Sequence, residues 1–243
     1  MKSLQSSYKI ILIACVCLEF VFSCAKEKEV NSAEHSYTEA VKALKDHDYL
    51  GAAESFEEIN NEYPLSKWGI KAQAMAAYSF YKEEKYSDVI RISDNFNRSN
   101  PSNPNVAYMQ YLKSLSYYNQ INDIDRAQDN AILASYSFRE LVAKFPNTTY
   151  STDAKEKLEY IDEHIAGGKM SIGRYQLGIG NYVGAIKNFQ DVIDRYSKTN
   201  QATEAYFRIY EAYKKIGLKK ESANYLQKLN ALYPENIWST KHK

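Results

Sequence analysis

The side chains able to do chemistry are unevenly placed along this chain of 243 residues. All three cysteines, Cys15, Cys17 and Cys24, lie near the N-terminus, so the body can build neither a disulfide framework nor a cysteine zinc site. The four histidines (His35, His47, His164, His242) are scattered, and none has a second ligand at metal-binding spacing. Gly178-Ile-Gly180-Asn-Tyr-Val-Gly184 superficially suggests a phosphate loop. It follows no strand, lacks the terminal Gly-Lys-Ser/Thr, and has the wrong glycine spacing for a dinucleotide fold. It reads instead as a tight turn between helices, with Gly184 allowing close approach. No Gly-x-Ser-x-Gly occurs. Adjacent carboxylates such as Glu57-Glu58 and Glu83-Glu84 point different ways on a helix and form solvated faces. These residues support no enzyme, no cofactor and no metal.

Tyrosine is the richer signal, with 22 copies against two tryptophans. Its ring packs well and its hydroxyl adapts to a partner, so it serves both cores and recognition surfaces. Tyr78 and Tyr81, Tyr108 and Tyr111, and Tyr206, Tyr210 and Tyr213 recur three or four residues apart, which gathers each set on one side of a helix. Packing is the default role for any one of them. A few, with Tyr63 and Trp68 at a turn, are candidates to line a groove for an extended peptide carrying aromatics. A net charge of +1 without a long basic run excludes nucleic acid as the partner.

Such a groove needs helices to carry it, and apolar spacing supplies them. Before Pro146, residues Ala134, Phe138, Leu141, Val142 and Phe145 share one helical face; after it, Ala154, Leu158, Ile161 and Ile165 do the same. Proline stops the first helix, and Thr149 or Ser151 is expected to cap the next, with Asp153 near its positive end. The frame of a small residue, an aromatic four residues on and a proline eight further recurs as Ala52-Phe56-Pro64 and, with changes, as Val89-Ser93-Pro101, Ala185-Phe189-Ser197 and Ser222-Leu226-Pro234. The anchors 64, 101, 146, 197 and 234 are 37, 45, 51 and 37 residues apart. That is the tetratricopeptide pattern of paired antiparallel helices, and it predicts an all-α superhelical solenoid of about five helix pairs.

The predicted pairs are 33–46 with 49–62, 67–83 with 86–98, 105–119 with 127–144, a long helix 151–178 with one ending near 196, and 200–216 with 219–232. Ser66 should cap the third helix. Gly167-Gly168 is where the long helix could break, and from Glu235 onward no partner is expected.

Residues 1–23 read as an export signal, with Lys2 and Lys9 ahead of an apolar core, Ile10 to Phe22, too short for a membrane span. Val21-Phe22-Ser23-Cys24 is a loosened lipobox, and Cys24 is the expected lipidation site. Leu12-Ile-Ala-Cys15 matches the letters better but leaves too short an apolar core. A plain secretory signal with a chance cysteine is the alternative. Residues 24–32 form a charged tether, and removal of the signal leaves 29 charges of each sign.

Tyr63-Pro-Leu-Ser-Lys-Trp68, the block from Ala74 to Lys82, Asn100-Pro-Ser-Asn-Pro-Asn-Val-Ala-Tyr-Met-Gln-Tyr111, Asp125-Arg126, Phe145-Pro-Asn-Thr-Thr-Tyr150-Ser-Thr-Asp-Ala154 and Asn181-Tyr-Val-Gly-Ala185 together resemble the BamD family of outer-membrane assembly lipoproteins. The resemblance covers nearly all of the expected mature chain. It implies a periplasmic scaffold held to the outer membrane by its N-terminal lipid (a palmitate-bearing cysteine), bound to the POTRA domains of BamA. It also implies that repeats in 33–119 receive unfolded barrel precursors, with Tyr63, Pro64 and Trp68 on that side, and that repeats in 120–243 dock BamA, with Tyr182 and Asn188 on that side. Asn188 replaces an arginine of relatives, so contact there must rest on packing or neutral hydrogen bonds. Another lipidated repeat adaptor, for pili or cell division, is the competing reading.

Overall fold

A computed structural model describes residues 32–240, all of its regular structure there being helical. The signal 1–23, Cys24 and the tether up to residue 31 lie outside the described residues. The helices are α1 (32–45), α2 (Tyr49–Glu62), α3 (Lys67–Lys82), α4 (Tyr86–Ser99), α5 (Val106–Tyr118), α6 (Asp129–Lys144), α7 (Thr149–Gly178), α8 (Tyr182–Arg195), α9 (Gln201–Ile216), α10 (Lys219–Leu232) and α11 (Ile237–Thr240). In the first unit α3 packs on α2 and α4; in the second α7 packs on α6 and α8, and α9 on α8 and α10, and the turns of a few residues between these neighbours make them antiparallel. The chain divides into two compact units, with the boundary inside α5 between Leu112 and Lys113.

One joint is built five times. The N–H of the residue two after each anchor (Ser66, Asn103, Thr148, Thr199, Asn236) donates to the carbonyl of the residue before it (Tyr63, Asn100, Phe145, Tyr196, Tyr233) at 2.9–3.3 Å. That preceding residue's own N–H returns to Ile59, Phe96, Leu141, Val192 and Leu229, each of which is buried. Carbonyls left over at a helix end are thus satisfied by the next helix's start. Short polar side chains complete the turn: Ser66, Thr148 and Thr199 donate a hydroxyl to Tyr63, Phe145 and Tyr196. The turns inside pairs also share a device, a left-handed residue at His47, Glu84, Gly180 and Gly217.

Three expectations are corrected. The cap of α7 is Thr148, whose Oγ1 accepts from the Ser151 N–H at 3.2 Å, because it occupies the column of Ser66; Thr149 is already helical, and Ser151 instead donates to Phe145 O. Gly167-Gly168 does not break α7. A Cβ on Gly167 would stand 2.2 Å from Ile124 Cδ1, so the glycine pair seats the 119–128 loop on an unbroken helix. That loop is further held by Gln128, which donates to Ile124 O and Arg126 O, and by Ser171, which donates to Asp125 at 2.7 Å. The C-terminal residues do find a partner, since α11 packs on α9 and α10.

In the first unit, Phe56 and Phe96 are fully buried, as are Ala52, Ala76, Ala77, Val89 and Met109. Ser93 stands where three other repeats place Phe56, Phe138 and Phe189, and Phe96, one turn on, is buried instead; the Ser93 hydroxyl is buried without a partner. The second unit packs Met170, Phe189, Val192 and Ile209 around Ala166, Ala185 and Ala205. The first joint is tight: a Cβ on Gly69 would lie 2.0 Å from Tyr63 O. Gly69→Ala should therefore cost about 1–3 kcal/mol despite alanine's better helix propensity, as urea unfolding would measure. An unchanged midpoint would show that the joint yields freely.

Candidate functional site

In the first unit, the joint after α2 brings Tyr63, Pro64 and Trp68 together. Ser66 fixes it by accepting from the Gly69 N–H at 2.9 Å. Tyr63 is half-buried and donates its hydroxyl to Ser32 at 3.1 Å; Pro64 is exposed. Leu65 between them is 95% exposed, an apolar side chain that helix formation does not require. The half-buried Trp68 ring stands 5.0 Å from Tyr37, which in turn lies 5.3 Å from buried Phe56. Lys67 and Lys71 place ammonium groups 5.0 and 4.9 Å from the indole centre, a cation–π arrangement. The indole N–H is buried without an acceptor. Burial pushes the Tyr37 phenol above its ordinary pKa. Tyr78, Tyr81, Tyr108 and Tyr111 are half-buried on α3 and α5, and Tyr81 meets Tyr86 at 6.0 Å.

The second unit separates its candidates. Tyr182 and Tyr210 share a groove of about 690 Å³ between the end of α7, the start of α8 and the last turns of α9. Its other walls include Phe207, Arg208, Glu211, Lys214 and Lys215. Arg208 donates to Glu204 at 2.9 Å and Glu211 at 2.8 Å. Burial draws its pKa down, but those two carboxylates outweigh it and hold the guanidinium above its ordinary value. Tyr206 and Tyr213 turn the other way. They meet Tyr225 of α10 at 6.2 and 5.6 Å and pack on the core. Asn188 sits inside the α7–α8 hairpin, donating to Gln176 and to Gly184 O, both at 3.0 Å. Its hydrogen bonds are neutral, as its amide requires.

The second unit also carries exposed apolar residues that tyrosine counting misses. Ile172, Tyr175 and Ile179 follow helical spacing at the end of α7, and Val183 continues them on α8; their exposures are 52%, 69%, 62% and 74%. Contiguous exposed aliphatic and aromatic groups mark interaction sites. The signal in the sequence was Ile179 and Val183, apolar residues flanking a turn where polar ones are usual.

Among the described residues no group of side chains could hold a metal ion, and no helix is long and apolar enough to cross a membrane. Comparison with known proteins gives these surfaces a context. A family model described as "Outer membrane lipoprotein" (YfiO) matches residues 29–239. The outer membrane protein assembly factor BamD of Rickettsia prowazekii is 36% identical over 202 residues, covering 83% of this chain and 80% of that protein. Its counterpart from Caulobacter vibrioides is 33% identical over 86% of this chain and 69% of its own length. That of Neisseria meningitidis serogroup A is 28% identical over 98% of this chain and 92% of its own. A crystal structure of PilW, a type IV pilus biogenesis factor, covers 86% of this chain and 97% of its own, but at a TM-score of 0.28 and 13% identity the likeness is too slight to weigh. With the family model spanning nearly the whole described chain and a relative matched over four-fifths of its length, this protein belongs to the YfiO family of outer membrane lipoproteins.

Proposed function

We propose that this protein is an outer membrane protein assembly factor, as its relatives are named, and works as a non-enzymatic scaffold. In this reading Cys24 carries the lipid that holds it at the periplasmic face of the outer membrane. The second unit docks the POTRA domains of BamA, and the first receives unfolded barrel precursors. The observation that carries the reading is the exposed stripe Ile172, Tyr175, Ile179 and Val183, in the same unit as the groove of Tyr182 and Tyr210. An apolar stripe left in water loses the stabilisation that burial gives, roughly 25 cal/mol for each Å² covered, so a protein partner is its natural cover.

The first unit offers complementary chemistry to a precursor strand. Leu65 and Pro64 present apolar surface beside Tyr63, while Trp68 and its two lysines offer an aromatic face under positive charge. An extended segment with aromatic side chains and a carboxylate would suit that combination.

Immunoprecipitation of the full-length lipoprotein from detergent-solubilised envelopes tests the reading. The expected co-purifying species is a POTRA-bearing BamA-type barrel. Recovery of pilus or septal proteins instead, without that barrel, would overturn it.

A further inference from the structure

The short helix α11 lies behind the groove rather than at a loose end. Four residues cannot hold a helix by themselves, because nucleation is too costly. Here the turn is tied by the Ser239 N–H to Asn236 O at 2.9 Å, by the Trp238 N–H to Asn236 Oδ1 at 3.1 Å, and by the Ser239 hydroxyl to Tyr233 O. These bonds set Trp238 against α9. Its ring stands 5.3 Å from Phe207, and the Arg208 guanidinium carbon lies 5.1 Å from the ring centre. Phe207 is only 5% exposed and meets Tyr210 at 5.7 Å. Phe207, Arg208 and Tyr210 are all walls of the groove that Tyr182 faces.

We infer that the C-terminal strap is a positioning element of the partner groove, with Trp238 fixing the Phe207 ring and the Arg208 guanidinium in the arrangement a partner meets. The inference rests on the reading of this groove as a docking site. Arg208 is held from two sides: Glu204 and Glu211 orient its nitrogens, and the indole covers its face. Without the indole the guanidinium keeps its charge and its carboxylates but loses the stop that limits its tilt. Phe207 loses its cover at the same time, and Tyr210 then leans on a ring that is no longer fixed.

The test measures affinity of the full-length lipoprotein for the detergent-purified barrel partner, with five variants. Tyr182→Ala reports on the groove itself and should weaken binding about tenfold, the effect of a buried aromatic anchor. Trp238→Ala should weaken it about three- to tenfold, with Trp238→Phe restoring most of the loss because a ring again backs Phe207. Arg208→Met keeps the stem and removes the charge; combined with Trp238→Ala it should weaken binding much less than the two single effects multiplied, since both act through one group. Multiplicative effects, or wild-type binding by Trp238→Ala while Tyr182→Ala fails, overturn the inference and leave the docking site standing. Wild-type binding by both Tyr182→Ala and Trp238→Ala removes the docking site and the inference together.

Discussion

Val183→Asp should reduce recovery of the barrel partner about tenfold or more while leaving the thermal midpoint of the protein almost unchanged. The side chain is 74% exposed, so the substitution removes little packing inside the fold. It also falls in the first turn of α8, two residues after the Asn181 cap that accepts from the Gly184 N–H. A carboxylate at that end of a helix is favoured by the dipole, by roughly 0.3–1 kcal/mol. The fold therefore has a reason to tolerate the new charge, whereas an apolar interface has none: burying an unpaired carboxylate is among the costliest changes a contact can suffer. Val183→Leu should bind as the wild type does. Recovery of the partner at wild-type levels by Val183→Asp would show that the stripe is not the contact.

Such exposed contacts lie beyond local sequence rules, whereas helix ends do not. Helix boundaries were legible because proline, glycine and Asx/Ser/Thr residues act locally: Ser66 caps α3 as expected, and α2, α9 and α10 begin and end within a residue of their predicted limits. The cap of α7 falls one residue before the expected Thr149 because four Ser/Thr residues (Thr148, Thr149, Ser151, Thr152) follow Asn147, and only the turn geometry shared with Ser66 singles out Thr148. Gly167-Gly168 invited a break because glycine lowers helix propensity; their tertiary role, seating Ile124, involves a contact 43 residues away that no local rule contains. Tyrosines posed the hardest case. Tyr206, Tyr210 and Tyr213 share a spacing, yet Tyr210 lines a groove and the other two pack on α10. The sides of one helix face diverge by tens of degrees, enough for neighbouring side chains to meet different elements.

Phe189→Ala should be the most destabilising single change in the second unit, costing about 3–5 kcal/mol in urea unfolding followed by circular dichroism. The ring is fully buried among Ala166, Met170, Ala185, Val192 and Ile209. Two of those neighbours are alanines, which have no side-chain freedom with which to fill a cavity, so little of the lost contact is recovered on their side. The ring also explains a glycine. A Cβ on Gly173 would stand 2.4 Å from Phe189 Cε1, closer than any rotamer adjustment of the buried ring relieves. Gly173→Ala alone should thus cost about 1–3 kcal/mol through overpacking. In the Phe189→Ala background the sign should reverse: the new methyl enters vacated space and gains alanine's helix propensity, about 1 kcal/mol over glycine. The two substitutions should be strongly non-additive, as expected for residues in direct contact. If they add simply, the ring does not rest on Gly173, and the α7–α8 packing on which Tyr182, Ile179 and Val183 depend must be arranged differently.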